Sequence, residues 1–261
     1  MSKASETSDQ SQGVLLEDLT WIEAEQVLTP TTVVVIPLGA AAKEHGPHLK
    51  LKNDWVLAEY FKRRVLAAAD VVIAPTLAYH FYPAFLEYPG STSVRLETAR
   101  DTVLDICRTL ARHGPQCFYV LNTGVSTVRA LQPAAVALAE EGIVLHYTDL
   151  RTVAGSVVRD ISQQAGGSHA DEIETSMMLY IAPELVDMQK AADDYHPADG
   201  GLTRDSQGRG AYSPTGIYGN ATLATRAKGE QVVEAIVAGI LRDIETLRST
   251  SRHFARIQCH L

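Results

Sequence analysis

Short unbroken apolar runs alternate along the chain with longer stretches in which apolar residues recur every three or four positions. A continuous run such as TVVVIPLGA (32–40) is what a strand buried on both faces requires, and it ends at Gly39. From Asp54 the spacing turns helical through DWVLAEYFKRRVLAAAD, with the aspartate where an N-cap or first-turn acid belongs. VVIAPTLAY (71–79) predicts a second strand, RLETARDTVLDICRTLARHG a helix closed by Gly114, and QCFYVLNTG (116–124) a third strand. STVRALQPAAVALAEEG then predicts a helix with Ser126 as its cap, and GIVLHYTDL a fourth strand. HADEIETSMMLYIAPELVD reads as helical, residues 186–220 as irregular, and KGEQVVEAIVAGILRDIETLRST as a long closing helix. Strand–helix–strand order forces right-handed crossovers, so the expected fold is α/β, a three-layer α/β/α sandwich around a mostly parallel sheet.

Composition narrows the class. With 46% hydrophobic and 21% charged residues among 261, the chain reads as an ordinary globular protein: a polar, disordered tail over residues 1–14 and one domain over 15–261. A net charge of −8 and no Lys/Arg run exclude a nucleic-acid backbone as partner, which leaves a small molecule. No apolar run approaches the roughly 20 residues that span a bilayer, and the N-terminus has no signal-peptide core. Three cysteines without C-x-x-C spacing suit a reducing compartment, so the expected location is the cytoplasm.

In parallel sheets the chemistry gathers at the carboxyl ends of strands. Three polar loops follow the first three predicted strands, and the first of them, AAAKEHGPHLKLKND, is dense in candidates. His45 and Asp54 stand nine residues apart across Gly46-Pro47, so the loop can fold an imidazole and a carboxylate onto one point, donors that suit zinc, manganese or iron. Glu44 and His48 are further candidates. The bland reading is a charged turn with Asp54 capping the next helix. A second constellation, GSHADEIETS (167–176), offers His169 and Glu174 beside Asp171 and Glu172, acids that a helix N-terminus favours for its dipole alone.

These segments resemble the creatininase (creatinine amidohydrolase) family. GAAAKEHGPHLKLKND resembles its G-x-x-E-x-H-G-x-H followed by aspartate, YPGSTS (88–93) its F-P-G-T-x-S, HADEIETSMML its H-A-G-x-x-E-T-S, and YGNATLATRAKGEQ its closing G-x-x-x-x-A-[ST]-x-x-K-G. The resemblance covers nearly the whole chain from about Leu16. It implies the α/β/α sandwich, a homo-oligomer, commonly a hexamer, and hydrolysis of amide or cyclic-amide C–N bonds at a dinuclear metal site. His45, Asp54, His169 and Glu174 keep the pattern. Two ligands of one metal do not: Lys43 stands where the family has glutamate, and Gly124 where it has the histidine of N-G-H.

A lysine ammonium and a metal ion at ~4 Å repel by several kcal/mol at a protein-like dielectric, so they exclude each other. The expectation is therefore one divalent ion (Zn, Mn or Fe) on His45, Asp54 and Glu174, beside a Lys43 that polarises a carbonyl or stabilises an oxyanion, with Glu44, His169 and Ser126 in the catalytic set. The alternative is a metal-free site in which Lys43 pairs with Asp54, or acts as base or nucleophile through a lowered pKa. Asn122, Thr123 and Thr127 are candidate substrate contacts, as are Tyr79, Tyr82, Glu87 and Tyr88 of the aromatic loop YHFYPAFLEYPG, which also reads as an oligomer contact. Three functions remain open: a C–N hydrolase, a metal-free enzyme that forms, cyclises or transfers such bonds, and a non-catalytic ligand-binding oligomer.

Overall fold

The computed structural model describes residues 12–258. Its central sheet has the strands β1 (Val14–Leu15), β2 (Val33–Leu38), β3 (Val72–Ile73), β4 (Cys117–Asn122) and β5 (Val144–Tyr147), all parallel and ordered β1-β3-β2-β4-β5. Every residue of β2 and β4 is buried, as an apolar run without alternation requires. Alternate side chains enter opposite layers: Val33 and Val35 face one core, and Val34 and Ile36 the other.

The first core packs helices α2 (Asn53–Ala68), α7 (Glu172–Ile181) and α8 (Arg226–Gln258) against the sheet, together with the short α5 (Leu150–Val153) and α6 (Gly155–Ile161). The second holds α1 (Trp21–Val27), α3 (Leu96–Ala111) and α4 (Val128–Glu140). The result is the α/β/α sandwich.

Several boundaries differ from the sequence reading. Of the expected tail, residues 1–11 lie outside the described residues, whereas Val14 pairs with Val72 in β1 and Gly13 N donates to Leu66 O. The expected strand over 71–79 reduces to β3, because Pro75 has no N–H to give the ladder; Ala74 N and Leu77 N still reach Val35 O and Pro37 O. α7 stops at Ile181, short of Pro183. Ser126 does not cap α4: the cap position is Thr127, whose side chain caps nothing. β1, α1, α5 and α6 have too few residues to show a period.

Candidate active site

The loops after β2, β3 and β4 meet at one sheet edge because backbone and hydroxyl groups lace them together. Ala41 N donates to Ala78 O, Thr92 N to Ala42 O, and Glu44 N to Ser91 Oγ at 2.9 Å. Thr123 Oγ1 donates to Leu38 O and to Asp54 O, tying the end of β4 to β2 and to the first turn of α2. Gly39 allows that turn to approach: a Cβ there would fall 2.2 Å from Asp54 O.

Lys43 is buried in this junction. Its Nζ lies 2.6 Å from Asp54 Oδ2, a charge contact rather than an aligned hydrogen bond, and sits 4.8 Å from the centre of the Phe85 ring. Burial pulls the lysine pKa down, but Asp54, Glu174 and Glu44 outweigh it and the net shift is upward. The net direction is opposite to the lowered pKa that a lysine base or nucleophile needs. Burial raises the Asp54 carboxyl, while Lys43 and His45 together hold it well below the usual carboxylate range.

Two histidines stand beside this pair. His45 Nδ1 faces Lys43 O at 2.9 Å, and a carbonyl can only accept, so Nδ1 carries a proton. Nε2 then points at Asp54 Oδ1 at 2.8 Å and at Glu174 Oε1 at 3.9 Å. His169 Nε2 donates to Glu44 Oε1 at 2.7 Å and to Glu44 O, leaving Nδ1 3.6 Å from Glu174 Oε2. Burial lowers the His169 pKa, Glu44 raises it, and the net shift is upward; the same pairing draws Glu44 down against the cost of its burial. Glu44 is pinned further by Gly46 N at 2.7 Å and by Gly216, where a Cβ would fall 2.1 Å from its Oε2.

Each ring therefore has its outer nitrogen tied and its inner nitrogen turned on Glu174. Donor atoms of His45, His169 and Glu174 lie within 4.8 Å of one another, and Asp54 stands outside that group. Ligands of a tetrahedral zinc sit roughly 3.3 Å apart, so small movements would close this N, N, O set on a single ion. Two acceptors, His45 Nε2 and Asp54 Oδ1, also face each other unless a proton or a cation lies between them. His45, His169 and Glu174 could together hold one metal ion.

Glu174 is delivered by α7, whose N-cap Asp171 accepts from Ile173 N and Glu174 N. The preceding Ala170 is the one non-glycine among the described residues at positive φ (48°), and its N–H donates to Glu174 Oε2 at 2.6 Å. Glu172 faces the other way and is spent on Lys228, Gln163 N and Gln164 N.

The cluster opens on a cavity of about 710 Å³ lined by Lys43, Phe85, Thr123, Ser126, His169 and Glu174 among others. Most of the expected substrate contacts have their polar groups committed elsewhere. Asn122 donates to Gly124 O and Thr148 O and accepts from Gly124 N and Thr127 Oγ1, so both it and Thr127 hold the loop. Glu87 accepts from Thr203 Oγ1 and Arg204 N, and Tyr88 OH donates to Ser213 O. Tyr82 is buried beneath the Lys43 ammonium, and Tyr79 is exposed away from the cavity. Ser126 lines the wall, but its hydroxyl donates to Phe81 O. Phe85, which the aromatic count did not single out, lines the cavity together with Tyr218. His48 lies behind the site, its Nε2 on Thr175 Oγ1 at 2.8 Å.

The buried His80 adds a pH response away from the chemistry. Burial pushes its pKa down to about 4. Between the ordinary value near 6.5 and that value the unfolded chain binds the proton and the folded chain does not, so stability falls as pH drops through this window. From pH 7 to pH 5 the ring should cost ~2 kcal/mol. Urea unfolding of the wild type and His80→Leu at both pH values checks this: the variant should lose less by that amount, and identical losses would contradict it.

The creatininase family model, described as creatinine amidohydrolase, matches residues 17–244. The creatinine amidohydrolase of Pseudomonas putida is 29% identical over 258 residues, covering 88% of this chain and 95% of that protein. The mycofactocin precursor peptide peptidase of Mycolicibacterium smegmatis is 28% identical over 224 residues, covering 83% and 85% respectively. A solved structure designated "Creatininase Mn" superposes with a TM-score of 0.75 at 27% identity, covering 90% of this chain and 99% of that one. With the sandwich fold and the edge-of-sheet cluster already in place, the match along 17–244 means that this chain belongs to the creatininase family.

Proposed function

We propose that this protein hydrolyses an amide or cyclic-amide C–N bond of a small polar molecule, at a centre where His45, His169 and Glu174 hold one divalent ion beside the Lys43 ammonium. The observation that carries the reading is the paired orientation of the two imidazoles, each fixed from behind by an oxygen of the 43–44 segment and each facing Glu174. The relatives that act on creatinine and on a precursor peptide, and the manganese of the solved creatininase, support the same chemistry.

A bound ion would supply a more acidic water and a polarised carbonyl. Lys43 would hold the negative charge that develops on the carbonyl oxygen, and Asp54 holds Lys43 in position to do so. Glu44 fixes the His169 ring, and Phe85 walls the cavity against water.

One observation favours a second reading. Both Asp54 oxygens already face a partner, Lys43 on one side and His45 on the other, which is also what an ion-free centre needs. Lys43 and His169 would then serve as acids in forming or transferring a C–N bond.

Metal analysis of protein purified without chelator separates the two. We expect one ion per chain, lost in His45→Ala, together with chelator-sensitive turnover on a panel of cyclic amides and N-acyl compounds. No ion, with turnover that survives chelation, selects the second reading; two ions per chain would overturn the placement of Lys43. We also propose a cytoplasmic homo-oligomer, supported by the buried free thiols of Cys107 and Cys117 and by the exposed Trp21 and Ile22. No helix among the described residues is long and apolar enough to cross a membrane.

A further inference from the structure

The same cavity carries a feature that the C–N chemistry does not use. Its wall includes Arg151 on α5 and Arg159 on α6. Neither guanidinium has an ion pair, a hydrogen bond or an aromatic ring as partner among the described residues, although the chain holds 31 acids against 23 Lys and Arg. Some arginines on other surfaces find acids, as Arg64 does with Glu234 at 2.7 Å and Arg108 with Glu141 at 2.6 Å, and others, such as Arg95 and Arg112, stand in solvent; what sets Arg151 and Arg159 apart is that they line a cavity. The nearest acid in sequence to Arg151 is Asp149, whose carboxylate is taken by Arg151 N.

The charge on the wall is opposite to that of the molecule. Of the charged side chains lining the cavity, Lys43, Arg151 and Arg159 are positive, and Asp171 and Glu174 are negative, three against two in a chain of net −8. Asp54, which balances Lys43, does not line the cavity, and Asp171 is occupied by Ile173 N, Glu174 N and Gln164 Nε2. Leu150, Val153, Val157, Val158 and Ile161 anchor α5 and α6 in the core, so the two arginines stand on fixed backbone. A cavity of about 710 Å³ is the size for a small ligand. Guanidinium groups are matched in geometry to carboxylate and phosphate oxygens, and a concave wall of one sign concentrates ligands of the other.

We propose that the substrate is an anion: Arg151 and Arg159 anchor a carboxylate or phosphate group at the α5–α6 wall while the C–N bond lies at Lys43, His169 and Glu174. The inference rests on the reading of this cavity as the C–N site and adds the substrate class. It disfavours a neutral cyclic amide and points to N-acyl or cyclic-amide compounds that carry an acid group.

Calorimetric titration of chelator-treated protein with glutarate, inorganic phosphate and neutral glutaramide tests this without turnover. One or both anions should bind, the Arg151→Ala/Arg159→Ala pair should weaken that binding at least tenfold, the corresponding lysine pair should recover part of it, and glutaramide should not bind. Glutarate alone would assign a carboxylate substrate and phosphate alone a phosphorylated one. Anion affinity unchanged by the alanine pair, equal binding of glutaramide, or no binding by either anion would overturn the proposal. Because the probes bind without a metal, a zero ion count would end the metal reading and leave this result standing. An intact ion count with no anion binding would do the reverse.

Discussion

Asp54→Ala is expected to lose about 3–5 kcal/mol of folding stability, the range for removing one partner of a buried ion pair. The magnitude comes from what is left behind. Lys43 would keep its charge between the Phe85 and Tyr82 rings with its nearest counter-ion gone, and Glu174, partly open to the cavity, cannot replace a carboxylate at 2.6 Å. The combination Lys43→Met/Asp54→Leu removes both charges and fills the space with apolar atoms, so it should return to within ~1 kcal/mol of the wild type while remaining inactive. Chemical denaturation of the wild type, Asp54→Ala, Lys43→Met, Asp54→Leu and the pair measures the loss and the coupling. Additive losses, or a single variant as stable as the wild type, would mean that the ammonium does not rest on Asp54.

Lys43→Met alone is expected to lower kcat/KM by about 10²–10³, the usual consequence of losing one donor to a developing oxyanion. The loss should fall on kcat, because the group acts on charge that appears during the reaction. The ion count should stay at one per chain, since His45, His169 and Glu174 do not depend on the amine for a ligand atom. A variant that loses its ion together with its activity would make Lys43 a support of the metal centre only, and undiminished turnover would remove it from catalysis. The stability assay above shows how much of any loss is unfolding.

The layers were legible because burial on both faces leaves a plain mark: VVVIPL and CFYVLN contain no polar residue before Asn122, and both are strands with every residue buried. The site was legible in outline for a related reason. Loops at the carboxyl ends of parallel strands must share an edge, so His45 and Asp54 could be placed together before any coordinates. What the sequence could not show was partner choice across long separations. Thr127 and Asn122 look like free polar groups until the loop folds them onto each other, and Glu87 meets Thr203 from 116 residues away. Nothing local says that the outer nitrogen of His169 is taken by Glu44, 125 residues earlier. Arg151 follows directly on an expected strand, GIVLHYTDL, and the interruption at Ala154-Gly155 hid two helices too short to show a period.

α8 passes so close to α7 that a Cβ at Gly229 would fall 1.8 Å from Ser176 O, and one residue earlier Lys228 clamps Glu172. Both contacts grip the turn that delivers Glu174. The last long helix is thus a backstop for the carboxylate that faces the two imidazoles, and bulk introduced at residue 229 would have to push α7, and Glu174 with it, out of place. Damage near the C-terminus of this chain can present as a catalytic defect.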